Sequence, residues 1–309
     1  MRRLAVLTVI AAVAVTPSLA VAATPSVASA APPPLYGVTI DSISGLSSLV
    51  AGLAALPERA TARVYFDVHE PASYYADAVK TIHGADDVMG ELLDSSDETA
   101  ISTAALRTRT SAYLAALGSS VDIWEIGNEV NGNWTGPYTT VAAKLAAAYA
   151  VVHAAGRPTA LTLYENSFGP DNCGDGAAEL TPLQFARRYV SATVRAGLTY
   201  VFLSYYPTQC GGVEPTGAQL NAELVGLHKL FPAAELGFGE LGLPHAVTAT
   251  TLATAEQVMS WGYGLDPGLP YYVGGYFWWY AAEDALQPSG LLAGALPQAF
   301  EAEHAALTG

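Results

Sequence analysis

The strongest constraint on the fold is a repeated pairing of two kinds of segment. A short apolar run rich in β-branched and aromatic residues is followed, again and again, by an Ala- or Leu-rich stretch with helical periodicity. Strands are expected at residues 36–41, 62–68, 87–93, 122–129, 161–166, 200–206, 235–241 and 274–280, since each run has strand length and ends in turn-forming residues. Helix-compatible stretches lie at 47–56, 103–117, 139–155, 182–196, 216–231 and 251–261. Residues 94–102 have weak helical character and fit a loop. Eight strands alternating with helices predict an α/β fold with a parallel sheet, and the length from about residue 35 to 309 predicts closure into a (β/α)8 TIM barrel. A doubly wound open sheet is the alternative. It normally carries G-x-G-x-x-G after its first strand, and YGVTIDSISGL has no such spacing.

The first thirty residues read differently from the rest. Met1, Arg2 and Arg3 form a basic head, residues 4–15 are apolar but short for a bilayer, and Ala-x-Ala sites follow at Ala22 and Ala30. This predicts a secretory signal peptide within 1–30 and an extracellular product. A membrane anchor is the alternative, opposed by Pro17 and the Ala/Pro/Ser-rich stretch to Pro34. Residues 31–309 are expected to form one catalytic domain, because no linker or repeat interrupts them. In an exported chain the two cysteines, Cys173 and Cys210, are expected to form a disulfide; two free buried thiols are the alternative. Two sulfurs without a nearby His pair do not make a zinc site, so no metal or cofactor is expected.

Charge narrows the partners. Lys and Arg number 13 against 28 Asp and Glu, and 13 − 28 = −15. Phosphate backbones and anionic membranes are repelled by such a chain, whereas a neutral or cationic ligand fits. A monomer is expected.

In a (β/α)8 barrel the C-terminal strand ends and the loops after them face the active site. Those positions hold Asp41, Asp67, His69, Asp94, Asn128, Glu129, Glu165, Asn166, Tyr205, Tyr206, Glu240, Trp278, Trp279, Tyr280, Glu283 and Asp284, a rim of carboxylates and aromatics. Within WEIGNEVNGNW, strand alternation places Glu125, Gly127 and Glu129 on one side. Depth distinguishes the two acids: Glu125 is expected down in the barrel, and Glu129 at its mouth. Cleavage of a glycosidic bond needs one carboxyl to protonate the leaving oxygen and a second to act on the anomeric carbon. Glu129 after the fourth strand and Glu240 on the seventh could supply them.

Asn128-Glu129 in WEIGNEVNGNW and Glu240 in GFGELGLP resemble the two catalytic segments of the clan A (GH-A) retaining glycoside hydrolases. Arg63 in ARVYFD, SYYP at 204–207 and YFWWY at 276–280 agree with that pattern. The resemblance implies endo-hydrolysis of a β-linked oligo- or polysaccharide by double displacement, with carboxyl groups about 5 to 5.5 Å apart. It implies Glu129 as general acid and base, Glu240 as nucleophile and Asn128 as the contact to the sugar 2-hydroxyl. Tyr206 would donate to Glu240, and Arg63 would keep Glu240 charged, neutralise Glu125, or do both. Trp279, or Trp278 if the register differs by one, would form an aromatic floor. Trp134 is either a sugar platform or a lid packed inward, and His69 and His245 are expected to reach the cleft. No H-E-x-x-H or G-x-S-x-G occurs. Competing functions are a barrel that binds sugar without cleaving it, and a lyase or metal hydrolase.

Overall fold

A computed structural model describes residues 33–173 and 179–309; the expected signal peptide lies outside them. Eight strands run in chain order: β1 (Leu35–Ile40), β2 (Ala60–Tyr65), β3 (Asp87–Glu91), β4 (Ile123–Glu125), β5 (Thr159–Tyr164), β6 (Tyr200–Tyr205), β7 (Glu235–Leu241) and β8 (Gly274–Trp278). Each pairs in parallel with the next, and β8 returns to β1, so the expected (β/α)8 barrel is closed. The helices are α1 (Leu46–Leu53), α2 (Ala72–His83), α3 (Thr103–Leu117), α4 (Tyr138–Ala154), α5 (Pro182–Arg188), α6 (Ala192–Gly197), α7 (Gly217–Leu230), α8 (Leu252–Tyr263), α9 (Ala281–Asp284) and α10 (Ala295–Thr308). Among the described residues, no helix is long and apolar enough to cross a membrane.

Several local expectations need correction. The stretch 182–196 is two helices, because Ser191 caps the second by accepting from the Val194 amide. Helix α2 was not expected, yet it buries Ala72, Tyr75, Ala78, Val79 and Ile82, an i, i+3, i+4, i+7 face hidden among polar neighbours. Residues Ser95–Ala100 form a 3-10 turn capped by Asp94.

The fourth strand is the most consequential correction. It ends at Glu125, not 129. Two further bonds, Ile126 N to Ala160 O and Thr162 N to Gly127 O, hold the chain against β5. Glu129 then adopts a φ of 42°, a left-handed conformation that a non-glycine residue enters at a cost of roughly 1–3 kcal/mol. Simple alternation therefore does not aim Glu129; a turn does.

Side chains inside the barrel form two tiers. Met89, Ile123, Ala160, Phe202, Val273 and Phe277 make an apolar cluster separate from the main core between barrel and helices. Two residues further along β3, β4, β5 and β6 come Glu91, Glu125, Thr162 and Ser204, all fully buried. Period-two alternation carries both tiers on the same strand faces. Strand β7 joins the polar tier through an irregularity. Leu203 pairs with Phe238 but Ser204 pairs with Glu240, so Gly239 is skipped. Phe238 packs outward on Trp261 of α8, and regular alternation would send Glu240 outward too; the bulge turns it inward. A Cβ on Gly239 would lie 2.6 Å from Thr162 Oγ1, which is why the bulged residue has no side chain.

Two cross-links shape the mouth. Arg109 of α3 donates to the carbonyls of Phe66, Asp67, Val68, Glu70 and Leu92, tying the loop after β2 to the end of β3. The expected disulfide, Cys173–Cys210, joins the turn after β5 to the turn after β6.

Candidate active site

The polar tier is organised around Arg63 of β2, which is fully buried. Its Nε donates to Glu125 Oε2 at 2.7 Å. Nη2 lies 3.1 Å from Glu91 Oε1 and Nη1 lies 3.1 Å from Glu240 Oε2. These last two are charge contacts without hydrogen-bond geometry. Arg63 thus contacts both Glu125 and Glu240. Burial alone would lower its pKa, but Glu125, Glu91 and Glu240 hold it well above the ordinary value. Trp279 covers the guanidinium, with Cζ 5.2 Å from the indole centroid.

Glu240 is surrounded by donors. Besides Arg63, Asn128 Nδ2 donates to Oε2 at 3.1 Å and the Tyr206 phenol to Oε1 at 2.6 Å. Glu129 has a different environment: Ser204 Oγ donates to Oε1 at 2.5 Å and Ser95 Oγ to Oε2 at 3.0 Å. Ser95 also fixes Asn128, its amide donating to Asn128 Oδ1 at 3.1 Å. Ser204 and Tyr206 stand two apart in sequence, so the end of β6 offers one hydroxyl to each carboxyl group.

These environments separate the two acids. Burial, and then the charge of Glu240, push Glu129 up to about 8 against the opposing hydroxyls of Ser204 and Ser95. Burial pushes Glu240 up to about 7, opposed by Arg63 and Tyr206. Glu240 has the stronger set of donors, a guanidinium among them, so its carboxylate is the better stabilised of the two. Tyr206 is held well above its ordinary value by burial and by the charges of Glu240 and Glu129, and remains a donor.

Glu129 and Glu240 open into a cleft of about 600 Å³ whose walls include Asp94, Trp134, Glu179, Tyr206, Gln209 and Trp279, a size suited to a small ligand. Trp134 is 40% exposed and meets Tyr164 edge-on at 5.2 Å, so it is not packed inward as a lid. At the end of β8 it is Trp279 that lines the cleft, whereas Trp278 is buried and its Nε1 donates to Asp284 Oδ2 at 2.9 Å. His69 and His245 do not reach the cleft. Both are exposed and neither lines it; the His69 amide instead closes a turn onto Asp67. Among the described residues no group of three or more His, Cys, Asp or Glu is arranged to hold a metal ion.

Several members of the site escaped the sequence. Ser95, Thr162, Glu179 and Gln209 are common residue types with no pattern of their own, and Ser204 lies in SYYP without a role that the sequence assigns. Glu91 does carry a signal: a carboxylate directly after the apolar run VMG of strand DVMGE, of the same kind as Glu125 in IWE.

No family model matches the chain, and a search of curated protein sequences gives no significant match. Solved structures do match. A GH5-4 broad-specificity endoglucanase from an uncultured bacterium superposes with a TM-score of 0.58 at 12% identity, covering 87% of this chain and 86% of that one. A GH10 xylanase from Bispora sp. MEY-1 gives 0.57 at 13% identity, covering 86% and 96%. A modular family 26 endo-β-1,4-mannanase from Cellulomonas fimi gives 0.55 at 13% identity, covering 88% and 70%. At such identities the likeness shows the fold alone, a (β/α)8 barrel.

Proposed function

We propose that the chain is a secreted retaining glycoside hydrolase acting on a β-linked oligo- or polysaccharide. The observation that carries this is the unequal treatment of two neighbouring buried carboxyl groups. Glu240 meets a guanidinium, an amide and a phenol, all of which favour its carboxylate. Glu129 meets only two serine hydroxyls. One acid is kept ready to attack and the other ready to give a proton.

In the first step the Glu240 carboxylate bonds to the anomeric carbon while Glu129 passes its proton to the departing glycosidic oxygen. The glycosyl ester at Glu240 no longer bears charge, so Glu129 loses the anion that helped raise its pKa and becomes a base. It then takes a proton from water, whose oxygen attacks the anomeric carbon and restores the Glu240 carboxylate. Asn128 would hold the 2-hydroxyl, Trp279 would floor the subsite of the cleaved sugar, and Trp134 would stack on a neighbouring ring. The open cleft, together with the endo-acting neighbours, supports internal cleavage of a chain. The disulfide and the basic-apolar N-terminal segment support export.

The test pairs a polysaccharide panel with Glu240→Gly. Wild-type protein is expected to release oligosaccharides from a β-glucan, xylan or mannan. The glycine variant is expected to be inactive, and to form a glycosyl azide of inverted anomeric configuration when azide is added with an activated aryl glycoside. Normal turnover by that variant refutes the assignment. Binding without turnover by the wild type would make this a sugar-binding barrel instead.

A further inference from the structure

Three carboxyl groups face one guanidinium in the barrel interior below the cleft. Arg63, Glu91 and Glu125 are fully buried, and Glu240 nearly so. Were all three acids ionised, the tier would hold a net charge of −2, an expensive arrangement for buried groups. The guanidinium contacts are also unequal. Only Glu125 receives a true hydrogen bond, through Nε at 2.7 Å, and it is pinned on its other oxygen by the Thr162 hydroxyl. Both oxygens of Glu91 lack a hydrogen-bond partner.

We infer that Glu125 is a positioning residue which, through its hold on Arg63, sets how much positive charge faces Glu240 and so how readily Glu240 ionises. Glu91 has the weaker hold: Nη2 lies 3.1 Å from its Oε1 without hydrogen-bond geometry, neither of its oxygens has a hydrogen-bond partner, and burial pushes its pKa well up against the opposing charge of Arg63. The inference rests on the proposed function only for its catalytic meaning; the ionisation of Glu240 is measurable by itself. Groups facing Glu240 come from every side of the mouth. They are Arg63 from β2, Glu91 and Asp94 at β3, Glu125, Asn128 and Glu129 at β4, and Tyr206 after β6. Of the acids among these, Glu125 alone is hydrogen-bonded to Arg63.

Glu125→Gln removes the charge but keeps an oxygen to accept from Nε. The full chain, labelled with 13C at the glutamate carboxyl carbon, is titrated by NMR, with the Glu240 signal assigned from Glu240→Gln. Relative to wild type, Glu125→Gln is expected to lower the Glu240 midpoint by about one pH unit, the shift typical of one charge beside an ionising group. Glu91→Gln removes an acid that is not hydrogen-bonded to Arg63 and is expected to shift the midpoint by less. Should Glu125→Gln fail to fold, Glu125→Asp draws the charge back from Nε and is expected to shift the midpoint in the same direction by less. An unmoved midpoint in the folded Glu125 variant overturns the inference, as does an equal shift from Glu91→Gln; a purely structural Glu125 would change stability without moving Glu240. In active protein the acid limb of kcat/KM follows the same displacement. If no glycan is turned over, the proposed function fails while the titration still decides the role of Glu125.

Discussion

A second acid pair, one member buried and the other half-buried, lies outside the cleft and links pH to stability. Glu165 follows β5 and is fully buried, its Oε1 accepting from the Ser167 amide at 2.7 Å. Burial and the charge of Glu223 in α7 push Glu165 up to about 8. Glu223 is pushed up to about 7 by burial, against the charge of Arg187. In the unfolded chain both titrate near 4.5. Between pH 5 and 7 the folded pair therefore retains at least one proton that the unfolded chain has released. Stability from this source is complete below about pH 4.5 and is lost as pH rises through 7 to 8. One retained proton is worth about 1.4 kcal/mol per pH unit, so two units give an upper value of about 3 kcal/mol, reduced to roughly 1–3 by relaxation around the charge. Glu165→Gln removes the retained proton. Urea unfolding followed by tryptophan fluorescence at pH 5, 6 and 7 is expected to show the variant gaining about 1–3 kcal/mol on wild type across that range. Contributions from Glu129 and Glu240 are common to both proteins and cancel in the difference. A difference independent of pH would refute the reasoning.

Three further outcomes follow from the cleft. Tyr206→Phe deletes a hydrogen bond to a charged group and is expected to lower kcat/KM about 10- to 100-fold on the best glycan, by initial-rate kinetics. Ser204→Ala removes a donor that favours the Glu129 carboxylate, so the alkaline limb of the pH–rate profile is expected to move to higher pH. Replacing Cys173 and Cys210 by Ala opens a cross-link spanning 37 residues of sequence; the loss, read by urea denaturation, is expected to approach 4 kcal/mol at most by loop entropy.

The sequence made the alternation of strands and helices plain because apolar periodicity dictates it. Strand β7 and helix α3 fall where periodicity places them. Periodicity makes strand β4 too long because WEIGNE runs on past Gly127, the last residue whose backbone bonds to β5, and no glycine marks the left-handed turn at Glu129. Charged residues in apolar surroundings, Arg63, Glu125 and Glu240, were legible for the same reason that burying them is costly. The skip at Gly239 was not, since a bulge depends on the neighbouring strand's register. Ser95 was silent, and Ser204 in SYYP had no role assigned, because only the third dimension distinguishes a serine facing Glu129 from any other.

One consequence of the fold concerns tolerance to deformation. A barrel breathes by sliding and tilting its strands past one another, so a distance spanning two strands varies more than a distance along one. Ser204 and Tyr206 are two residues apart, about 6.6 Å along the same strand end, and each touches one of the two acids. Both carboxyl groups are thus gauged against a single ruler. Loops around the mouth can lengthen, shorten or exchange their side chains, changing which ligand is admitted, while that ruler keeps its graduation.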